Sequence, residues 1–173
     1  SLRAEHPNLL LFLAPRRLEL LDRVEPMLAA AGLRVIRRTQ LDHGPVMDFP
    51  YDVVLLDTFG ELAAIYQLSD LAFVGGSLVP HGGQNILEPA ALGKPVIFGP
   101  HMHNFRDSVA LLLQADAAIQ IDNEKALLPA LRSLLDDPIH ATRMGERAAA
   151  AVRNATGATS KTCDLLEEFR FLE

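Results

Sequence analysis

Apolar residues along the chain fall into two patterns that take turns. Short continuous runs occupy residues 9–13, 33–36, 53–56, 71–74, 95–98 and 117–121. A run of that length has no polar face, so as a strand it must be covered on both sides. Between the runs, apolar positions recur every three or four residues. Leu18, Leu21, Val24, Leu28 and Ala31 make one such stripe, ended by Gly32, and predict an amphipathic helix with a glycine stop. Shorter helices are predicted from about Phe59 to Leu68, Asn85 to Leu92 and Phe105 to Ala115. After Asp122 the pattern is helical to the end, with one stripe of Leu127, Leu128, Leu131, Leu134 and Leu135 and another of Leu165, Leu166, Phe169 and Leu172. The polar stretch with Asp42, His43, Gly44 and Pro45 predicts a loop. Doubly apolar strands alternating with helices imply an α/β fold, doubly wound around a mostly parallel sheet.

Composition narrows the class of function. The 173 residues read as a single domain, 1–173, long enough to hold a core without staples. Hydrophobic residues at 49% and charged ones at 22% exclude a disordered chain. One cysteine, Cys163, excludes an internal disulfide; on an apolar-rich helix it reads as core filler rather than a nucleophile. A net charge of −6, 6% aromatics and no tryptophan oppose nucleic-acid binding. An anionic ligand must then be met by local groups. The apolar runs are far shorter than a membrane span of roughly 20 residues, and Glu5, His6 and Pro7 do not open a signal peptide. The abrupt start, a few residues before the first strand, suits a domain cut from a longer protein.

In an open α/β sheet, ligands lie beyond the carboxyl ends of the strands, and the unusual residues gather there. Pro15-Arg16-Arg17 follows the first strand and Asp57-Thr58-Phe59-Gly60-Glu61 the third. Gly75-Gly76-Ser77 and His81-Gly82-Gly83-Gln84-Asn85 follow the fourth, and Gly99-Pro100-His101 the fifth. These segments are expected to share one rim and one site. Asn85 opens a helix whose free N–H groups favour an anion, and Glu88, one turn on, can accept from vicinal ribose hydroxyls. The same two residues are equally a helix-capping pair. Thr58 with Glu61 is a capping box first, although the turn at Gly60 also exposes main-chain groups that can match a pyrimidine edge. Arg16 can grip a phosphate in two-pronged fashion or stand as a solvated surface arginine.

Other chemistries fail on spacing. The first strand-to-helix turn lacks Gly-x-Gly-x-x-Gly, so a dinucleotide cofactor is not expected. Gly93-Lys94 has Glu88 where a P-loop needs glycine, and Gly75-Gly76-Ser77-Leu78-Val79 has Val79 where a nucleophile elbow needs one. His101 and His103 lack a nearby thiol or carboxylate to complete a metal site. No cofactor and no metal are expected.

The segment Phe73-Val74-Gly75-Gly76-Ser77-Leu78-Val79 with Gly82-Gly83-Gln84-Asn85-Ile86-Leu87-Glu88 resembles the donor-binding half of 3-deoxy-D-manno-octulosonic acid (Kdo) transferases. The resemblance extends to Ala14-Pro15-Arg16, to Asp57-Thr58-Phe59-Gly60-Glu61-Leu62, and to Gly99-Pro100-His101 with Asn104-Phe105, in order along nearly the whole chain. It implies one Rossmann-like half of a GT-B glycosyltransferase. The parent enzyme would be an inverting transferase moving Kdo from CMP-Kdo to a lipid A precursor in lipopolysaccharide biosynthesis, at the cytoplasmic face of the bacterial inner membrane. Carried over by position, Pro15 and Arg16 would meet the CMP phosphate. Phe59, Gly60 and Glu61 would frame the cytidine, and Asn85, Ile86, Leu87 and Glu88 would hold ribose and phosphate.

The general base and the acceptor domain would come from an N-terminal half, so no catalytic residue is expected in this chain. Membrane association would likewise belong to the full-length protein. Two departures from the family pattern stand out: Arg17 and Leu18 replace a frequent His-Pro, and Gln84 replaces a frequent histidine. The stripe of Leu165, Leu166, Phe169 and Leu172 is expected to fold back on its own sheet or to drive self-association. Two rivals stay open: a donor domain for a UDP-sugar, and a non-catalytic α/β interaction module.

Overall fold

The computed structural model describes residues 2–41 and 50–170, with the backbone alone over 157–170. The loop expected around Asp42, His43, Gly44 and Pro45 lies outside the described residues, as do Leu172 and the side chains of Cys163, Leu165, Leu166 and Phe169. The chain divides into two compact units, Ser1–Ile65 and Tyr66–Glu173.

The first unit contains α1 (Leu2–Glu5), β1 (Leu11–Leu13), a 3₁₀ turn (Leu18–Leu20), α2 (Leu21–Ala30), β2 (Val35–Arg37), a second 3₁₀ turn (Arg38–Gln40) and β3 (Val53–Leu55). Its strands form a parallel sheet in the order β1-β3-β2. Central β3 is buried along its whole length, and Val53 and Leu55 pack with Leu21 of α2. Just before β3, Asp52 is buried at 3% exposure. Its carboxylate accepts from the Arg34 amide at 2.8 Å and from Arg34 Nη2 and Arg3 Nη2, each at 2.6 Å. The Arg34 bonds, seconded by Arg3, outweigh the cost of burial and hold the Asp52 carboxyl well below the usual carboxylate range. Arg3 thereby ties the one-turn helix α1 to the start of β3. The apolar pattern does not anticipate α1, because a single turn is too short to show a stripe.

The boundary between the units falls within α3 (Leu62–Leu68). The second unit continues with β4 (Ala72–Val74), α4 (Leu87–Ala91), β5 (Val96–Phe98), α5 (Arg106–Gln114) and β6 (Ala118–Gln120). A 3₁₀ turn (Glu124–Ala126), α6 (Leu127–Leu135) and the long α7 (Pro138–Arg170) complete it. The sheet is parallel in the order β4-β5-β6. Val96, Ile97 and Phe98 of β5 are all fully buried, and they point alternately into two cores. Val96 and Phe98 pack with Ile86, Ala90, Leu112 and Ala148 on one face. Ile97 packs with Ile121, Leu134 and Met144 on the other. That double cover is the reason the strand reads as an unbroken apolar run.

The parallel α/β class expected from the pattern is therefore borne out, with strands one or two residues shorter than their apolar runs. Hydrogen bonding groups the strands into two three-stranded sheets, one in each unit. An apolar run tells how a strand is covered, but not which strand it pairs with. In the second unit α7 closes tightly over the turn that ends α4. A Cβ built on Gly145 would lie 1.9 Å from the Gly93 carbonyl oxygen, so only glycine fits there. Gly93 itself has φ +73° and stops α4 in the left-handed conformation that glycine tolerates.

Candidate functional site

Parallel pairing decides which loops start side by side. In the first unit Leu13 of β1 is registered with Leu55 of β3, so Pro15-Arg16 and the 57–61 segment leave the sheet at the same end. In the second unit Val74, Phe98 and Gln120 end their strands in register, which starts the 75–86 and 99–105 loops from one rim. Pro15, Arg16, Phe59, Gly60 and Glu61 thus belong to the first unit, and Asn85, Ile86, Leu87 and Glu88 to the second.

Around Gly60 the side chains do not form the expected capping box. The Thr58 hydroxyl donates to Glu61 Oε2 instead of capping an amide, while Arg38 Nη2 lies 3.0 Å from Glu61 Oε1. Helix α3 starts only at Leu62, and the Glu61 carbonyl accepts from the Ile65 amide. Glu61 therefore occupies the cap itself, and its carboxylate is free to serve as a bridge between Thr58 and Arg38. Gly60 has φ +84° with open space where a Cβ would stand, and Phe59 beside it is 82% exposed. The backbone of this turn is accessible from solvent, as a base-recognition loop requires. Asp57, in the same segment, accepts from the Thr39 amide and hydroxyl. Burial alone would raise its pKa, but those two bonds, helped by the Arg37 charge, hold it below the usual range. Arg16 is exposed at the tip of β1.

In the second unit the loops after β4 and β5 are knitted into one body, and Ser77 is the knot. Its buried hydroxyl donates to the Val74 carbonyl at 2.6 Å and accepts from the Gly99 amide at 2.9 Å. Its carbonyl accepts from the His101 amide. Gly99 approaches so closely that an added Cβ would sit 2.4 Å from the Ser77 carbonyl oxygen. The same holds at Gly82, with φ +89°, where a Cβ would meet the Asn104 side chain. Three of the segments singled out in the sequence, 75–77, 81–85 and 99–101, are thus joined. Ser77 joins 75–77 to 99–101 and the Gly83 amide, bonded to the Gly76 carbonyl, brings in 81–85; in the sequence only its place after two glycines marks Ser77.

Asn85 hangs from this body at the start of α4. Its Oδ1 accepts from the Leu87 amide at 3.0 Å, and its Nδ2 donates to Glu88 Oε1 at 3.0 Å. The N-cap of α4 is Ile86, without a side-chain cap bond, so Asn85 and Glu88 pair with each other instead of forming a capping box, and both side chains remain exposed. Ile86 between them is fully buried and Leu87 packs on the core, so these two can offer a ligand little but backbone. Glu88 also acts on Tyr66, whose phenol is pushed up first by burial and then by the Glu88 charge. Tyr66 and Arg38 are neighbours of the candidate residues that no sequence motif marks. Among the described residues, no three side chains of the metal-ligating kinds cluster together.

Parallel sheets with glycine-rich loops at the carboxyl ends of their strands are the architecture of a Rossmann-like α/β fold. The comparisons agree on the kind. No protein-family model matches the chain. It is 38% identical over 169 residues to the 3-deoxy-D-manno-octulosonic acid transferase of Bordetella pertussis, and 36% identical over 170 residues to that of Haemophilus influenzae. These alignments cover 96% and 98% of this chain. The chain spans 39% of the length of each of those relatives. Among solved structures it resembles the C-terminal CMP-Kdo binding domain of WaaA from Acinetobacter baumannii. That match has a TM-score of 0.78 and 29% identity, over 87% of this chain and 77% of that one. The chain is similar to a part of these Kdo transferases and shares the fold of the WaaA C-terminal domain, as its motifs led us to expect.

Proposed function

We propose that this chain is the donor-binding part of a glycosyltransferase that moves Kdo, with inversion, from CMP-Kdo to a lipid A precursor in lipopolysaccharide assembly. The observation that carries the reading is the 0.78 TM-score to a CMP-Kdo binding domain, together with the exposed Asn85–Glu88 turn at the rim where such folds take their ligand. In this reading Pro15 and Arg16 meet the phosphate, and Phe59, Gly60 and Glu61 frame the cytosine. The Glu88 carboxylate accepts from the ribose hydroxyls while Asn85 keeps the turn closed on itself. The 173 residues act as one nucleotide-binding domain and need no cofactor. The general base and the lipid acceptor site belong to the remaining length of the relatives, so the chain by itself binds donor without transferring it. Transfer would take place at the cytoplasmic face of the inner membrane; among the described residues no helix is long and apolar enough to cross it.

Calorimetry on the chain with CMP, UMP and UDP tests the reading. CMP is expected to bind best, and Arg16→Ala and Glu88→Gln are each expected to weaken it by about tenfold, the scale of one charge-assisted hydrogen bond. Preference for UDP would transfer the domain to the UDP-sugar enzymes. Absence of any nucleotide binding would leave an interaction module.

A further inference from the structure

Strands β2 and β3 end in register, with Arg37 opposite Leu55, so the 3₁₀ turn Arg38–Gln40 and the 57–61 segment leave the first sheet side by side. Two residues of that turn reach across to two carboxylates of the segment. Arg38 Nη2 lies 3.0 Å from Glu61 Oε1, while the other Glu61 oxygen accepts from the Thr58 hydroxyl. Thr39 donates its amide to Asp57 Oδ1 at 3.0 Å and its hydroxyl to Asp57 Oδ2 at 2.5 Å. The turn is itself anchored to α2. The Arg37 amide donates to Gln40 Oε1, and the Arg37 guanidinium donates to Asp22 at 2.7 Å and to Glu25 at 2.8 Å. The segment is thus gripped at residues 57 and 61, while Phe59 and Gly60 between the grips stay exposed. The Arg38 and Glu61 side chains are 29% and 34% exposed, and so open a pair adds little to stability. What it fixes is geometry.

We propose that Arg38 and Thr39 are positioning residues for base recognition: through Glu61 and Asp57 they hold the 57–61 turn in the shape that distinguishes cytosine from uracil. The inference rests on the nucleotide reading above and deepens it. Cytosine offers an amino donor where uracil offers a carbonyl acceptor, so discrimination needs main-chain groups held in one place. A turn built on Gly60, at φ +84°, has wide backbone freedom of its own. Grips on either side remove that freedom before the ligand arrives, which lowers the ordering cost of binding.

Calorimetry with CMP and UMP on the chain and its variants is the test. Arg38→Met is expected to weaken CMP binding about fivefold, the scale of one net hydrogen bond, and Thr39→Val by a smaller factor. UMP binding should stay as it is, so the preference for CMP falls in both variants. Arg38→Lys and Thr39→Ser, which keep the charge and the hydroxyl, should restore most of it. In a Glu61→Gln background Arg38→Met should have no further effect, because it acts through that carboxylate. Equal losses for CMP and UMP would show a merely structural role and overturn the inference. It is equally overturned if both variants keep the CMP-to-UMP ratio of an unmodified chain that does prefer CMP; the nucleotide reading then stands without it. If the unmodified chain shows no such preference, that reading falls and takes this inference with it.

Discussion

At the scale of single residues, buried polar atoms decide more than the visible motifs do. The Ser77 hydroxyl is the partner of the buried Gly99 amide, and an amide stripped of its partner in such a place costs about 1–3 kcal/mol. Ser77→Ala should lower stability by that amount in urea unfolding, although the substitution removes one atom. Asn85→Ala loses the bond to the Leu87 amide and should cost about 1 kcal/mol, as helix-cap losses do. If the nucleotide reading is right, it should also weaken CMP binding by more than that stability loss explains. Asp52 yields a pH dependence. Its folded pKa lies below the unfolded one, so the stability it contributes is complete above the ordinary carboxylate range and is lost progressively as pH falls from that range toward the lowered folded pKa. Thermal midpoints measured from neutral to acid pH should therefore fall less steeply in Asp52→Asn than in the parent. The side-chain bond between Asn85 and Glu88 follows from a three-residue spacing that the sequence shows. Thr58 and Glu61 were misread as a box because spacing records who is three residues away, while Arg38, in a different strand-to-loop junction, is what claims the carboxylate.

At the scale of elements, the alternation of apolar runs and helical stripes located the strands and the longer helices, because each run is buried on both faces and each stripe on one. Each strand is a residue or two shorter than its run. Leu9 and Leu10, for example, carry the apolar pattern but not the ladder, which begins at Leu11 opposite Val53. Spacing alone says nothing about contacts such as the one between Gly145 of α7 and Gly93 after α4. There two backbones touch because Gly145 has no side chain. Gly145→Ala forces α7 away from that turn and should destabilise the chain by about 1–3 kcal/mol, the usual range for overpacking. Alanine at an exposed helical position such as Glu146 should serve as the neutral control in the same denaturation series.

At the scale of the molecule, the likeness to Kdo transferases covers nearly all of this chain but 39% of each relative compared. The proposed division of labour has a thermodynamic signature. A ligand that binds only the folded chain stabilises it by about 2.7 kcal/mol at a hundredfold excess over its Kd. CMP should then raise the melting temperature measurably in differential scanning fluorimetry, and UDP should not. Incubation with CMP-Kdo and a lipid A precursor should give no transfer by the chain alone. Product formation under those conditions would place catalytic groups within these 173 residues.

By itself the sequence determined the parallel α/β class, the placement of glycine-rich loops at strand ends and the relationship to a transferase family. All of these depend on local order along the chain: run length, spacing and motif. Only the tertiary structure decided that Ser77 ties the loop after β4 to the loop after β5, that Arg38 rather than an amide takes the far side of Glu61, and that His101, His103, Arg106 and Gln120 line one groove. Those outcomes depend on which atoms distant in sequence come within 3 Å of each other. Backbone pairing and close packing settle that distance, and no pattern along a single chain encodes it.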